Sequence, residues 1–170
     1  MVWQATAHVF GVPISGSDTL IDDKGEMRWD LLDVVPVVRA GGADISRSAA
    51  GRVNIESIWL PSVLCADGVE WAQASAERVS AEFTAHEETA HLELEIDAAG
   101  RVESMRMPRW GNPAGEPFHY VDFGGWAESE AEFGGYTIPT RVRVGWFFGS
   151  ERFEGEGEFF RATIDAVEYR

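Results

Sequence analysis

The chain has 170 residues and is 45% hydrophobic, enough for one domain with a buried core and too apolar for a disordered segment. Its 29 acidic and 14 basic residues give a net charge of −15, which argues against nucleic acid and anionic membrane surfaces as partners, since both require a positive face. A lone cysteine, Cys65, rules out an intrachain disulfide, and no apolar run reaches the roughly 18 residues of a membrane span.

In chain order, Met1 to Thr6 carries neither the basic nor the apolar stretch of a signal peptide. That favours a cytoplasmic setting and leaves room for a missing N-terminal segment. Trp3 to Phe10 alternates as a strand and stops at Gly11 and Pro13, with His8 inside it. Thr19-Leu20-Ile21, the turn Asp22-Asp23-Lys24-Gly25 and Glu26 to Leu32 predict a hairpin, with Gly25 supplying positive φ. Val34 to Val38 predicts a short buried strand carrying Pro36.

Ala40-Gly41-Gly42 breaks the pattern, and Asp44 is placed to cap a helix over about 44–60 that ends before Pro61. On that helix Arg52 and Glu56 stand at i and i+4, close enough to pair. Cys65 follows the apolar run Ile58 to Leu64 and reads as a small buried hydrophobe.

Beyond the helix the chain reads as β. Val69-Glu70-Trp71 opens a strand. Val79, Ala81, Phe83 and Ala85 alternate with polar residues, as do Leu92, Leu94 and Ile96, which marks an antiparallel sheet with one buried face. Arg101 to Met107 follows, then a Gly- and Pro-rich loop from Trp110 to Pro117. Further strands are predicted at Phe118 to Asp122, Glu130 to Phe133, Ile138 to Phe148 and Glu158 to Tyr169. The sum is one α+β domain over 1–170, mainly antiparallel β, with about ten strands and one main helix.

Arg52-Val53-Asn54-Ile55-Glu56-Ser57-Ile58-Trp59-Leu60-Pro61 followed by Val69-Glu70-Trp71 resembles a bacterial and archaeal family of unknown function. In that family a helix ends in Glu-x-x-Trp-x-Pro and a tryptophan-bearing strand follows. Ile96-Asp97-Ala98-Ala99-Gly100-Arg101-Val102 and Tyr136-Thr137-Ile138-Pro139 extend the match, which covers most of the chain from Glu26. The pattern is in turn similar to the LolA/LolB-like superfamily of lipoprotein carriers. The resemblance implies a curved, incomplete antiparallel half-barrel closed by a helix. Since that superfamily also includes an enzyme, the fold alone leaves the function open.

Several residues are candidates for chemistry. Glu56 lies in an apolar setting that would suit acid–base work, or it serves as a structural partner of Arg52, Arg141 or Arg143. His119 is the second candidate acid or base, although Asp122 falls on the other face of a regular strand. The seven tryptophans make an aromatic-lined pocket a reasonable expectation. Trp29, Trp59, Trp71, Trp110, Tyr120, Trp126, Arg141 and Trp146 are its candidate ligand-binding residues. His86-Glu87-Glu88-Thr89-Ala90-His91 lacks the i, i+4 histidines of a zinc helix and reads as a hairpin turn, so no metal site is expected there. No cofactor motif is recognised.

The primary expectation is a binding module for a lipid or other apolar small molecule. The alternatives are an enzyme using Glu56 or His119 on a hydrophobic substrate, and an interaction domain of a larger protein.

Overall fold

The computed structural model describes residues 1–9, 11–32 and 34–169. Phe10, the expected end of the first strand, and the side chain of His8 lie outside the described residues. The chain is mostly antiparallel β, with eleven strands among the described residues where about ten were expected, and they form two separate sheets. The first sheet is a four-stranded meander of β1 (Val2–Val9), β2 (Val12–Ile21), β3 (Lys24–Leu31) and β4 (Val35–Gly41). The second is a seven-stranded meander of β5 (Glu70–Gln73), β6 (Arg78–Ala85), β7 (Glu88–Ile96), β8 (Val102–Gly111), β9 (His119–Phe133), β10 (Tyr136–Trp146) and β11 (Glu158–Thr163). Neither sheet closes on itself. Among the described residues no helix is long and apolar enough to cross a membrane.

The hairpin turns differ in detail from expectation. Between β2 and β3, Asp22 and Asp23 adopt φ of 49° and 59°, the pair of positive values that a two-residue hairpin needs. Aspartate tolerates this region because its short carboxylate can bond locally. Gly25, expected to provide the positive φ, instead sits inside β3 and is buried. His86 and Glu87 make the same kind of turn between β6 and β7. His86 Nδ1 lies 2.8 Å from Asp23 Oδ1 and His91 Nδ1 lies 2.9 Å from Glu82 Oε2, so the two histidines serve different carboxylates.

The expected helix over 44–60 is divided. α1 spans Ala43–Ile55, a 3-10 turn covers Glu56–Trp59, and Leu60 leaves helical geometry before a short α2 at Pro61–Leu64. Gly42, not Asp44, is the N-cap, and it makes no side-chain cap bond. Asp44 lies in the first turn, where its Oδ1 accepts a 2.9 Å hydrogen bond from Trp110 Nε1. Cys65 is exposed, contrary to its apolar surroundings in sequence, because it follows the end of α2 at the surface.

Two other strands depart from expectation. Val34 to Val38 is exposed, with Val34 at 78%, because β4 is the outer strand of its sheet. Pro36 fits there, since a residue without an N–H cannot serve a central ladder. The two strands expected between Phe118 and Phe133 are one strand, β9, and Trp110 belongs to β8 rather than to a loop. Gly124 and Gly125 lie mid-strand, where a Cβ would run into Met105 O of β8 and Arg143 O of β10. They permit close approach by both neighbours instead of making a turn.

The main core forms on one face of the seven-stranded sheet. Ala81, Phe83, Ala90, Leu92, Leu94, Met105, Met107, Phe123, Val142 and Val144 pack there with Ile55, Ile58 and Leu64 from the helical segment. Each buried Leu, Ile or Phe contributes roughly 1.5–3 kcal/mol from removal of apolar surface from water. The four-stranded sheet is held at the start of α1 through Gly25, whose N–H donates to Ser46 Oγ at 2.9 Å. A Cβ on Gly25 would lie 2.8 Å from Ser46 Cα and 2.9 Å from Ile45 O, both backbone atoms that cannot turn aside. Gly25→Ala is therefore expected to destabilise the fold by about 1–3 kcal/mol in chemical denaturation, the usual cost of forced overpacking. Unchanged stability would show that the helix is free to shift at this contact.

Candidate functional site

A cavity of about 640 Å³ lies where α1 and the two sheets meet. The first sheet contributes Trp3, Ala5, Ala7, Asp18, Met27 and Trp29. The helical segment contributes Ile45, Ser48, Arg52, Ile55, Glu56, Ile58 and Trp59; the 3- and 4-residue steps from Ile45 through Ser48 and Arg52 to Ile55 lay one helix face along it. The second sheet adds Met105, Arg109, Phe123, Val144, Trp146, Phe159 and Phe160, and the connection between β8 and β9 adds Asn112 and Phe118. A second depression, about 570 Å³, lies over Gln4, Thr6, Ser15, Ser17, Arg28 and Asp30; it is a polar surface trough without an aromatic wall.

The cavity walls are rings at fixed angles. Trp3 packs against Trp29 at 5.9 Å and edge-on to Phe160 at 6.5 Å between centroids, joining the two sheets. Phe123 meets Trp146 edge-on at 4.9 Å, and Trp146 stacks with Phe159 at 6.5 Å. The Trp59 indole N–H donates to Pro139 O at 3.0 Å, and Trp59 O accepts from the Tyr169 hydroxyl at 3.1 Å, so this wall is pinned by polar contacts.

Four charged side chains stand in this apolar setting. Arg52 donates to Asp18 Oδ2 at 2.8 Å and to Glu56 Oε1 at 2.7 Å, with its guanidinium 4.3 Å from the centre of the Trp3 ring. Asp18 Oδ1 is buried and has no hydrogen-bond partner among the described residues. Arg109 is only 9% exposed. Its Nε donates to Ser48 O at 3.1 Å and its Nη2 to Ser48 Oγ at 3.4 Å, and its guanidinium lies 4.5 Å from the Phe123 ring and 4.9 Å from that of Trp146. Burial, with Arg52 nearby, pulls the Arg109 pKa down to about 9, so it remains a cation at neutral pH. Among the described residues no carboxylate lies within 4.0 Å of it.

Of the residues singled out from sequence, the structure brings Trp29, Trp59, Trp146 and Glu56 to this cavity. Trp110, Tyr120, Trp126 and Arg141 are elsewhere, and strand alternation explains each. Arg109, Phe123, Val144 and Trp146 face inward, so Trp110, Tyr120, Trp126 and Arg141 fall at outward positions of the same strands. Trp110 and Tyr120 pack edge-on at 5.2 Å, and beside them Arg47, 3.8 Å from the Trp110 ring centre, donates to Glu88 at 2.6 Å and to the Tyr120 hydroxyl at 2.9 Å. The Tyr120 hydroxyl donates to Glu88 Oε2 at 2.8 Å, a bond to a carboxylate that raises its pKa. Trp126 packs on Phe148 at 5.1 Å, and Arg141 is exposed, 3.9 Å from Glu128. Trp71 is also outside the cavity, its indole donating to Leu64 O at 3.0 Å. His119 is exposed, with Nδ1 2.8 Å from Pro117 O.

Sequence reasoning missed Arg109. Its signal was the alternation Met105, Met107, Arg109, an arginine continuing the inward apolar row of β8. No cluster of three or more His, Cys, Asp or Glu suited to a metal occurs among the described residues.

A cation whose pKa falls on folding opposes folding. The penalty is fully present below about pH 9 and fades as pH rises above it, where the folded protein releases the proton first. Arg109→Met, which keeps the stem and removes the charge, is therefore expected to stabilise the ligand-free protein at pH 7 by about 1 kcal/mol or more in urea denaturation. A marked loss of stability would make Arg109 a structural prop.

The chain matches no curated protein and no solved structure. A family model matches residues 1–169, so the chain belongs to a family of unknown function, DUF6920.

Proposed function

We propose that the protein is a binding module that houses a lipid or other apolar small molecule in the cavity between its sheets. The observation that carries this reading is the 640 Å³ space walled by Trp3, Trp29, Trp59, Phe123, Trp146 and Phe160. Its size falls within the roughly 300–1,000 Å³ of small-molecule sites, and an aromatic lining with a few convergent polar groups is their usual chemistry. The likeness to LolA/LolB-like half-barrel carriers belongs to this proposal. Its support is an antiparallel sheet packed against a helix, with an apolar space beside that helix. The net charge of −15 supports a partner other than nucleic acid.

A second reading, an enzyme acting on a hydrophobic substrate, is favoured by the place of Glu56 in the cavity wall. Arg52 holds Oε1, so proton transfer would fall to Oε2. His119, the other acid–base candidate, stands outside the lining.

Native mass spectrometry of the purified chain, followed by denaturing extraction, is expected to reveal a co-purifying apolar molecule. Added 1-decanol is expected to quench the tryptophan fluorescence of extracted protein. A clean protein mass together with no response to 1-decanol would sink the binding reading. For the second reading, Glu56→Gln should abolish turnover of the captured molecule, and unaltered turnover would remove Glu56 from any catalytic role.

A further inference from the structure

We infer that the ligand of this cavity is an amphiphile with a carboxylate head, and that Arg109 receives that head. The inference rests on the binding reading and adds the chemical class of the ligand. The guanidinium of Arg109 has its stem against Gly51, where a Cβ would lie 2.9 Å from Arg109 Cγ. Phe123 and Trp146 attract the cation through their rings, at 4.5 and 4.9 Å. Two N–H groups are bonded, both to Ser48, and the contact to Oγ is long at 3.4 Å. A guanidinium carries five N–H donors in a planar fork, so three have no acceptor among the described residues. Those N–H groups are left for a guest in the cavity, which Arg109 lines.

The neighbouring charges decide between head groups. Arg52 is already committed to both Asp18 and Glu56, which together with Arg52 leave one surplus negative charge beside Arg109. A planar monoanion matches the fork of Arg109 with two parallel hydrogen bonds and adds the least repulsion from Asp18 and Glu56. A phosphate dianion adds twice the repulsion. A neutral head leaves the guanidinium without a directly bonded carboxylate. The apolar body of the ligand then lies along the rings of Trp29 and Phe160.

The test compares three probes with one tail, decanoate, 1-decanol and decyl phosphate, by tryptophan quenching and calorimetry on the full chain at pH 7. Decanoate is expected to bind about ten-fold or more tighter than 1-decanol, and tighter than decyl phosphate. Arg109→Met is expected to remove the preference for decanoate over 1-decanol. Should Arg109→Met fail to fold, Arg109→Lys keeps the charge but loses the fork, and most of the preference is expected to go with it. Equal binding of decanoate and 1-decanol overturns the carboxylate inference and leaves the binding module standing. Tighter binding of decyl phosphate overturns the choice of head group. An undiminished preference in either folded variant overturns the role of Arg109. Failure of all three probes to bind overturns the binding reading and the inference together.

Discussion

The four-stranded and seven-stranded sheets share no ladder among the described residues, so their relative position depends on the contacts of one helix, with the Trp3–Phe160 and Asp23–His86 contacts beside it. α1 meets both. Ser46 takes the Gly25 amide of β3, Arg52 reaches Asp18 of β2, and Ser48 accepts from Arg109 of β8. A helix of 13 residues cannot fill the whole space between two sheets of this size. Past its reach, the gap is bordered by large rings from both sides, and the Trp3–Phe160 contact is where the two walls meet. The cavity follows from this wedge geometry.

Placing two arginines in that wedge works against stability and invites function. Arg52 is compensated by two carboxylates, and truncating one of them would leave buried charge unbalanced. Arg109 has a carbonyl and a hydroxyl in place of a counter-ion. The chain as a whole is strongly acidic, with 29 acidic residues against 14 basic ones. A solvated acidic exterior around an interior cation means that an anion approaches against the long-range field and is stabilised only on arrival.

Much of the architecture was legible because alternation is a direct imprint of burial. Ala90, Leu92 and Leu94 are buried while Thr89 and His91 are exposed, as the sequence of β7 implies. The division into two sheets was not legible, since which strands share a ladder depends on long-range packing that no local pattern encodes. Gly25 illustrates a second limit. A glycine after Asp-Asp-Lys signals a turn, yet this one serves the approach of a helix some twenty residues later. The valines of β4 show a third, because an apolar run reads the same at a sheet edge as at its centre. At the candidate site the aromatic content was apparent, but the choice among rings turned on strand parity. Reading Trp110 as the start of a loop obscured that it alternates away from Arg109.

Every strand of this protein pairs with its immediate predecessor or successor within its sheet. Each such ladder closes a short loop, at a small cost in chain entropy. The costly closures are those around the cavity, where Trp3 meets Phe160 and Trp59 meets Pro139. In kinetic terms the two meanders are local units that form early, and the seam between them depends on contacts between distant parts of the chain, which form late. Parting that seam breaks ring contacts, an ion pair and single hydrogen bonds but no ladder. A guest would then enter by a transient separation of the sheets, with each meander remaining folded.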